Sequence, residues 1–226
     1  MRVLRGRAED IDADRQVSAD LLATVGETGE PAVRVWRPHR QVAFGRRDVR
    51  ADGYERAREA ASERGFPPAE RSVGGRAVAY TGTTVAFARA VPVEDYRRGL
   101  DDRYEDTAQA VQRALWRLGV PAQRDEPEGS FCPGQRSLSH RGKVVGIAQR
   151  VQADAAIVAG ILVVDDHEEI AAVLDPVYDA LDAPFDPDAV GSVKRAGGRA
   201  DPWTVMETLE SMLVDDEDYE VELVDA

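Results

Sequence analysis

Two hydrophobic periods alternate along this chain, and their order sets the expected architecture. From Asp12 to Thr24, Val17, Leu21 and Leu22 fall on one helical face with Val25 just beyond, and Gly26 and Gly29 close the run. Ala32 to Trp36 and Gln41 to Gly45 have strand-like patterns separated by Pro38, and they read as a pair of neighbouring strands. Tyr54 to Arg64 is rich in alanine, arginine and glutamate, so it predicts a helix closed by Gly65 and the Pro67-Pro68 break. A strand is expected next, leading into the glycine turn and flanking strand of Arg71 to Tyr80, and a strand of small and β-branched residues continues from Thr83 to Val91. Asp101 to Gly119 returns to the helical period through Ala108, Val111, Leu115 and Leu118. Lys143 to Gln152 and Ala155 to Val164 look like paired buried strands, and Glu168 to Leu174 and Trp203 to Val214 complete the helices. Strands and helices mix without a strict βαβ alternation. The expected class is therefore α+β, a mixed sheet flanked by helices.

Length changes this picture little: 226 residues suit one sizeable core, with neither an internal repeat nor a long linker. Charge changes it more. Forty-two acids against twenty-nine bases give −13, which disfavours nucleic acid and anionic membranes as partners. The acids are dense at Glu94 to Asp106, Asp165 to Glu169 and Asp215 to Asp225, while only two of the bases are lysine. That combination suits a cytosol of high ionic strength, of the haloarchaeal kind, where screening removes self-repulsion. No signal-peptide pattern opens the sequence and no apolar run has membrane-spanning length, so the expected location is the cytoplasm. A single cysteine excludes an internal disulfide, and His39, His140 and His167 lack metal-ligand spacing, so no metal site is expected.

Candidate chemistry centres on three places. Lys143 is one of the two lysines, and a compact ammonium on a slim stem reaches into a pocket where arginine's planar fork does not fit; the bland alternative is a chance survivor of a biased composition. The paired Gly74-Gly75, between Arg71 and Arg76, either lets the backbone approach a bound anion or makes a tight structural turn. Cys132 lies in Gly129-Ser130-Phe131-Cys132-Pro133-Gly134 and is either a nucleophile or a small, partly buried hydrophobe. Arg136 and His140 are the neighbours placed in sequence to lower its pKa, and His140 is also a candidate base.

Two of these places together resemble a family. Arg71-Ser72-Val73-Gly74-Gly75-Arg76-Ala77-Val78-Ala79-Tyr80 is similar to the arginine, glycine-rich and histidine signature of the lipoate-protein ligases, and Gly142-Lys143-Val144-Val145-Gly146-Ile147-Ala148-Gln149 resembles their lysine signature. The Ser130 to Gly134 stretch and Asp186 to Ser192 have similar counterparts in order, so the resemblance spans residues 1–215 as one catalytic domain, with 216–226 as an acidic tail. The resemblance implies the mixed-sheet fold shared by biotin and lipoate ligases and octanoyltransferases. It also implies roles: Lys143 at the acyl carbonyl and adenylate phosphate, Arg71 with Gly74 and Gly75 along the acyl and phosphate channel, Ala77 and Val78 beside the fatty chain, and Gln149 at a strand or nucleotide edge. Gly146 and Ala148 belong to the same binding signature. This sequence departs from the pattern at Arg76, where the third glycine is expected, at Tyr80 in place of histidine, and at Ala159-Gly160 in place of a histidine-glycine pair.

The leading expectation from the resemblance is a ligase that makes lipoyl-adenylate from lipoate and ATP with Mg²⁺. It would then acylate a lysine on the lipoyl domain of a 2-oxoacid dehydrogenase E2 or on the glycine-cleavage H protein. Because the sequence ends near the close of the catalytic domain, such a ligase is expected to need a separate accessory subunit. The alternative is an octanoyl or lipoyl transferase that forms a thioester on Cys132 and uses no ATP. A third is a noncatalytic relative that binds lipoate or a lipoyl domain.

Overall fold

The computed structural model describes residues 1–71, 74–95 and 98–224; Ser72 and Val73 of the glycine-rich motif, and Asp225 and Ala226 of the expected tail, lie outside them. In chain order the elements are β1 (Arg2–Arg5), α1 (Ile11–Thr28), β2 (Ala32–Trp36), β3 (Gln41–Phe44), α2 (Tyr54–Glu63), β4 (Pro68–Glu70), β5 (Val78–Tyr80) and β6 (Val85–Pro92). Then follow α3 (Leu100–Arg117), β7 (Gln123–Arg124), β8 (Leu138–Ser139), β9 (Lys143–Val151), β10 (Ala155–Leu162), α4 (His167–Ala180), α5 (Pro202–Val214) and β11 (Glu220–Leu223). Among the described residues eight strands form one mixed sheet in the order β11-β1-β2-β6-β10-β9-β8-β7, and three form a small sheet in the order β4-β3-β5. The architecture is the α+β mixed sheet flanked by helices that the periodicity predicts.

Strand parity explains how the helices distribute. Val33, Val35, Val85 and Phe87 turn toward the core made with α3 and α5, whereas Ala32, Trp36, Ala86 and Ala88 turn toward α1. The α1 side is lined by alanines, which leaves room between helix and sheet. A third core joins the small sheet to α2 and α4 through Phe44, Phe66, Val78 and Tyr178. The paired strands β9 and β10 are antiparallel neighbours as expected, with Ala148 opposite Ala159 and Gly160 opposite Ile147.

Three expectations need correction. β2 and β3 are not partners: β2 pairs with β1 and β6, and β3 pairs with β4 and β5. The Arg37 to Arg40 connection carries the chain from one sheet to the other, so Trp36 packs against α1 while Phe44 packs in the small-sheet core. Helix α4 continues past Leu174 and through Pro176 to Ala180, because Val177 and Tyr178 extend its buried stripe. The segment expected as an acidic tail contains β11, which pairs in parallel with β1 from Arg2↔Glu220 to Arg5↔Leu223. Its exposed alternation hid it, since an edge strand needs no buried face.

A buried ion pair fixes α1 over the sheet. Arg34, fully buried on β2, donates to Asp14 Oδ1 at 2.5 Å, to the Asp14 carbonyl at 3.2 Å and to Ser18 Oγ at 3.0 Å. Trp36 Nε1 donates to Asp14 Oδ2 at 2.9 Å, and the guanidinium lies over the Trp36 ring at 4.2 Å. Burial pulls the Arg34 pKa down, and the Asp14 carboxylate opposes that shift. Removing one partner leaves the other charge buried and alone, so Asp14→Ala is expected to destabilise the fold by about 3–5 kcal/mol in urea denaturation. A loss below about 1 kcal/mol would contradict the pair's structural role.

Candidate active site

Between α1, the alanine-lined face of the large sheet and the small sheet lies a cavity of about 600 Å³. Ala86, Ala88 and Ala159 on the large sheet, Ala43 and Val78 on the small one and Leu22 on α1 give it an apolar wall, while Asp12, Arg15, Gln41 and Glu70 also line it. Of the residues named from sequence, Arg71, Val78, Tyr80, Cys132, Gly146 and Ala148 line it. Small residues are required there. A Cβ on Gly160 would lie 2.3 Å from Phe87 Cζ and 2.6 Å from the Gly146 carbonyl, so β6, β9 and β10 close tightly only with glycine at that position.

The cysteine loop is held from behind by Lys143. Its Nζ is fully buried and donates to the Phe131 carbonyl at 2.9 Å, to the Cys132 carbonyl at 2.8 Å and to Glu126 Oε1 at 3.0 Å. Three such acceptors use all three N–H bonds of an ammonium. Burial pushes the Lys143 pKa down from the ordinary lysine value, against the opposing pull of Glu126. Glu126 is itself half-buried, accepting from the Ser130 and Ser137 hydroxyls and from the Gly134 amide at 3.0 Å. Burial raises its pKa, but those donors and Lys143 outweigh burial and hold it below the usual carboxylate range. The segment Asp186 to Ser192 braces the same region: Gly191 N donates to the Lys143 carbonyl at 3.0 Å and Asp186 N to the Gly129 carbonyl at 2.8 Å.

Cys132 sits at the cavity wall with a positive φ of 41°, a backbone region that non-glycine residues seldom occupy. Its amide donates to Tyr178 Oη at 2.6 Å, and that hydroxyl donates onward to the Ala77 carbonyl at 2.9 Å. Its sulfur receives a hydrogen bond from Arg71 Nη2 at 3.0 Å. Burial alone pushes the thiol pKa up. Arg71, the Arg76 and Gly75 backbone amides and Lys143 together outweigh it and hold the thiol below its ordinary value.

The remaining named residues sit elsewhere in the site. Gly74 and Gly75 form the turn behind Arg71. A Cβ on Gly74, at φ +89°, would lie 2.3 Å from the Arg71 guanidinium. Arg76 neither enters nor blocks the cavity; it pairs with buried Asp48 at 3.2 Å. Ala77 is buried and contributes its carbonyl, and Gln149 reaches away to the Leu100 carbonyl at 2.9 Å. The expected thiol neighbours are also corrected. Arg136 pairs with Glu105 and Asp101, and His140 lies in the β8–β9 turn, with no hydrogen bond to Cys132 among the described residues. Sequence proximity gave the wrong cation, because the loop faces the small sheet. Tyr178 and Asp48 went unnoticed for a related reason, since only tertiary packing brings them to the loop, while Glu126 is a sequence neighbour lost among the acids of its stretch.

Residues 14–213 match the family described as lipoyl protein ligase A/B catalytic domain, and the chain belongs to that family. It is 33% identical over 145 residues to an octanoyl-[GcvH]:protein N-octanoyltransferase of Bacillus velezensis, covering 62% of this chain and 50% of that protein. It is also 25% identical over 161 residues to a lipoyl-[GcvH]:protein N-lipoyltransferase of Listeria monocytogenes, covering 70% and 58% of the two chains. The chain thus spans about half the length of the curated relatives it matches. Its fold matches a crystal structure of lipoate-protein ligase A bound with ATP, with a TM-score of 0.79 at 18% identity over 99% of this chain and 88% of that one. A lipoate protein ligase from Thermoplasma acidophilum with bound lipoic acid, described as putative, matches with a TM-score of 0.73 at 16% identity, over 99% and 88%.

Proposed function

We propose that this chain transfers an octanoyl or lipoyl group between protein lysines through a thioester on Cys132, without ATP. The observation that carries the reading is the Cys132 sulfur held 3.0 Å from Arg71 at the wall of a partly apolar cavity. The thiolate attacks the acyl-lysine amide carbonyl of a donor domain, the C–N bond breaks, and the departing lysine nitrogen takes up a proton. The lysine amine of the acceptor then attacks the thioester, the C–S bond breaks, and loss of one proton from the new amide nitrogen restores the charge balance. Donors around the sulfur favour the thiolate both as attacking group and as leaving group. The alanine-lined part of the cavity offers apolar surface for an acyl chain such as octanoyl or lipoyl.

The ligase expectation places Lys143 on the acyl carbonyl and phosphate. In this structure the three Lys143 donors are engaged by Phe131, Cys132 and Glu126, and Lys143 is not among the cavity-lining residues. That favours transfer over adenylation, so ATP and Mg²⁺ are not part of this reading, nor is an accessory subunit. GcvH appears in the names of the relatives, and a bi-partite ligase of the same fold has been solved in a study with its E2 lipoyl domain. The partners proposed are therefore a glycine-cleavage H protein as donor and an E2 lipoyl domain as acceptor. The acid excess and the scarcity of lysine support a salt-adapted, cytoplasmic setting.

With octanoylated H protein as donor and an E2 lipoyl domain as acceptor, octanoyl transfer read by mass spectrometry is expected to proceed without ATP and to stop in Cys132→Ala. Labelling of the acceptor that requires free octanoate and ATP, and that survives Cys132→Ala, would establish the ligase instead. For the salt adaptation, the melting temperature is expected to climb as KCl rises from about 0.1 to about 1 M. A flat or falling dependence would contradict it.

A further inference from the structure

Arg76 and Asp48 lie outside the cavity, yet they form a continuous chain of contacts that ends on the reactive sulfur. Asp48 is fully buried between two turns, accepting from the Gly45 amide at 3.0 Å through Oδ2 and from Arg76 Nη1 at 3.2 Å through Oδ1. The Arg76 carbonyl in turn accepts from Arg71 Nη2 at 2.5 Å, and the same Nη2 donates to Cys132 Sγ at 3.0 Å. The turns themselves are pressed together: Arg47 N donates to the Gly75 carbonyl at 3.2 Å, and a Cβ on Gly45 would lie 2.4 Å from the Gly75 carbonyl carbon. We propose that Asp48 and Arg76 are positioning residues. Their ion pair, buried on the Asp48 side, fixes the 74–76 turn, whose carbonyl and amides hold Arg71 and the Cys132 sulfur in register.

Two physical points support this. A buried carboxylate costs stability unless it is paired, and Asp48 is paired with a residue whose backbone faces the reacting atom. Arg71 has a second reason to be placed from outside. Its Nε is buried without a hydrogen-bond partner among the described residues, so the Arg76 carbonyl and the sulfur are the contacts that orient it. The inference rests on Cys132 being the nucleophile, but its test does not, because thiol alkylation needs no acyl donor.

Around the sulfur stand Arg71 and the Gly75 and Arg76 amides from the small-sheet side, Lys143 with Glu126 behind the loop, and Tyr178 from α4; Tyr80 also lies close to Arg71. Asp48→Asn separates the strut from simple charge effects by sign. Deleting a nearby negative charge lowers a thiol pKa, whereas loosening Arg71 raises it. The expected result is that the pH midpoint for alkylation of Cys132 by iodoacetamide rises by about one unit in Asp48→Asn. At a pH below both midpoints this appears as alkylation slower by about tenfold. A midpoint that is unchanged or lower overturns the proposal.

Arg76→Met provides the second arm if Asp48→Asn loses the wild-type circular dichroism spectrum. Its upward shift must disappear when it is combined with Arg71→Met, since a residue acting through Arg71 has nothing left to position. A shift of the same size in the Arg71→Met background would mean that Arg76 acts by its own charge, and would overturn the positioning role.

Discussion

One buried ammonium organises the centre of this molecule. Lys143 stands at the first position of β9, where the long strand emerges from the β8–β9 turn, and from there it gathers two successive carbonyls of the cysteine loop and the Glu126 carboxylate. A loop that must present a cysteine at positive φ has few ways to hold that strained shape. Pulling the Phe131 and Cys132 carbonyls toward a cation is one, and the Tyr178 hydroxyl on the Cys132 amide is another. The position of the thiol therefore depends on charge buried behind it. Its pKa is held below the ordinary thiol value by charge placed beside it, chiefly Arg71.

The fold supplies this division of labour through its two sheets. The large sheet carries Lys143 and the floor of the cavity, the small sheet leads into Arg71 and the glycine turn, and Cys132 lies where the two meet. Helix α1, locked by Arg34 and Asp14, closes the remaining side. Arginine at position 76, where a third glycine is the family pattern, is accommodated because Asp48 takes up its charge. The departure thus leaves the cavity open.

Elements with strong periodicity were legible from sequence: α1, α2, α3 and the β9–β10 pair lie close to where their patterns put them. The pairing of β2 was not, because strand order is set by which faces bury against which helix, and the segments on both sides of the Arg37 to Arg40 connection carry apolar residues. The two-residue strands β7 and β8 and the exposed edge strand β11 carry too few side chains for a pattern to show. At the candidate site, the compositional oddity of Lys143 and the lone cysteine singled out two residues that the structure brings into contact. Their partners were hidden: Tyr178 and Asp48 are distant in sequence, and Glu126, though near Cys132, is one ordinary acid in an acid-rich stretch.

The central claim is that the loop held by Lys143 presents Cys132 as an acyl carrier. Its most direct test is intact-protein mass spectrometry of the chain after mixing with octanoylated H protein in the absence of ATP and acceptor. The account predicts one added octanoyl group per chain, mapped to Cys132 and released by neutral hydroxylamine, as a thioester is. An unmodified chain, or an adduct on any other residue, would contradict it.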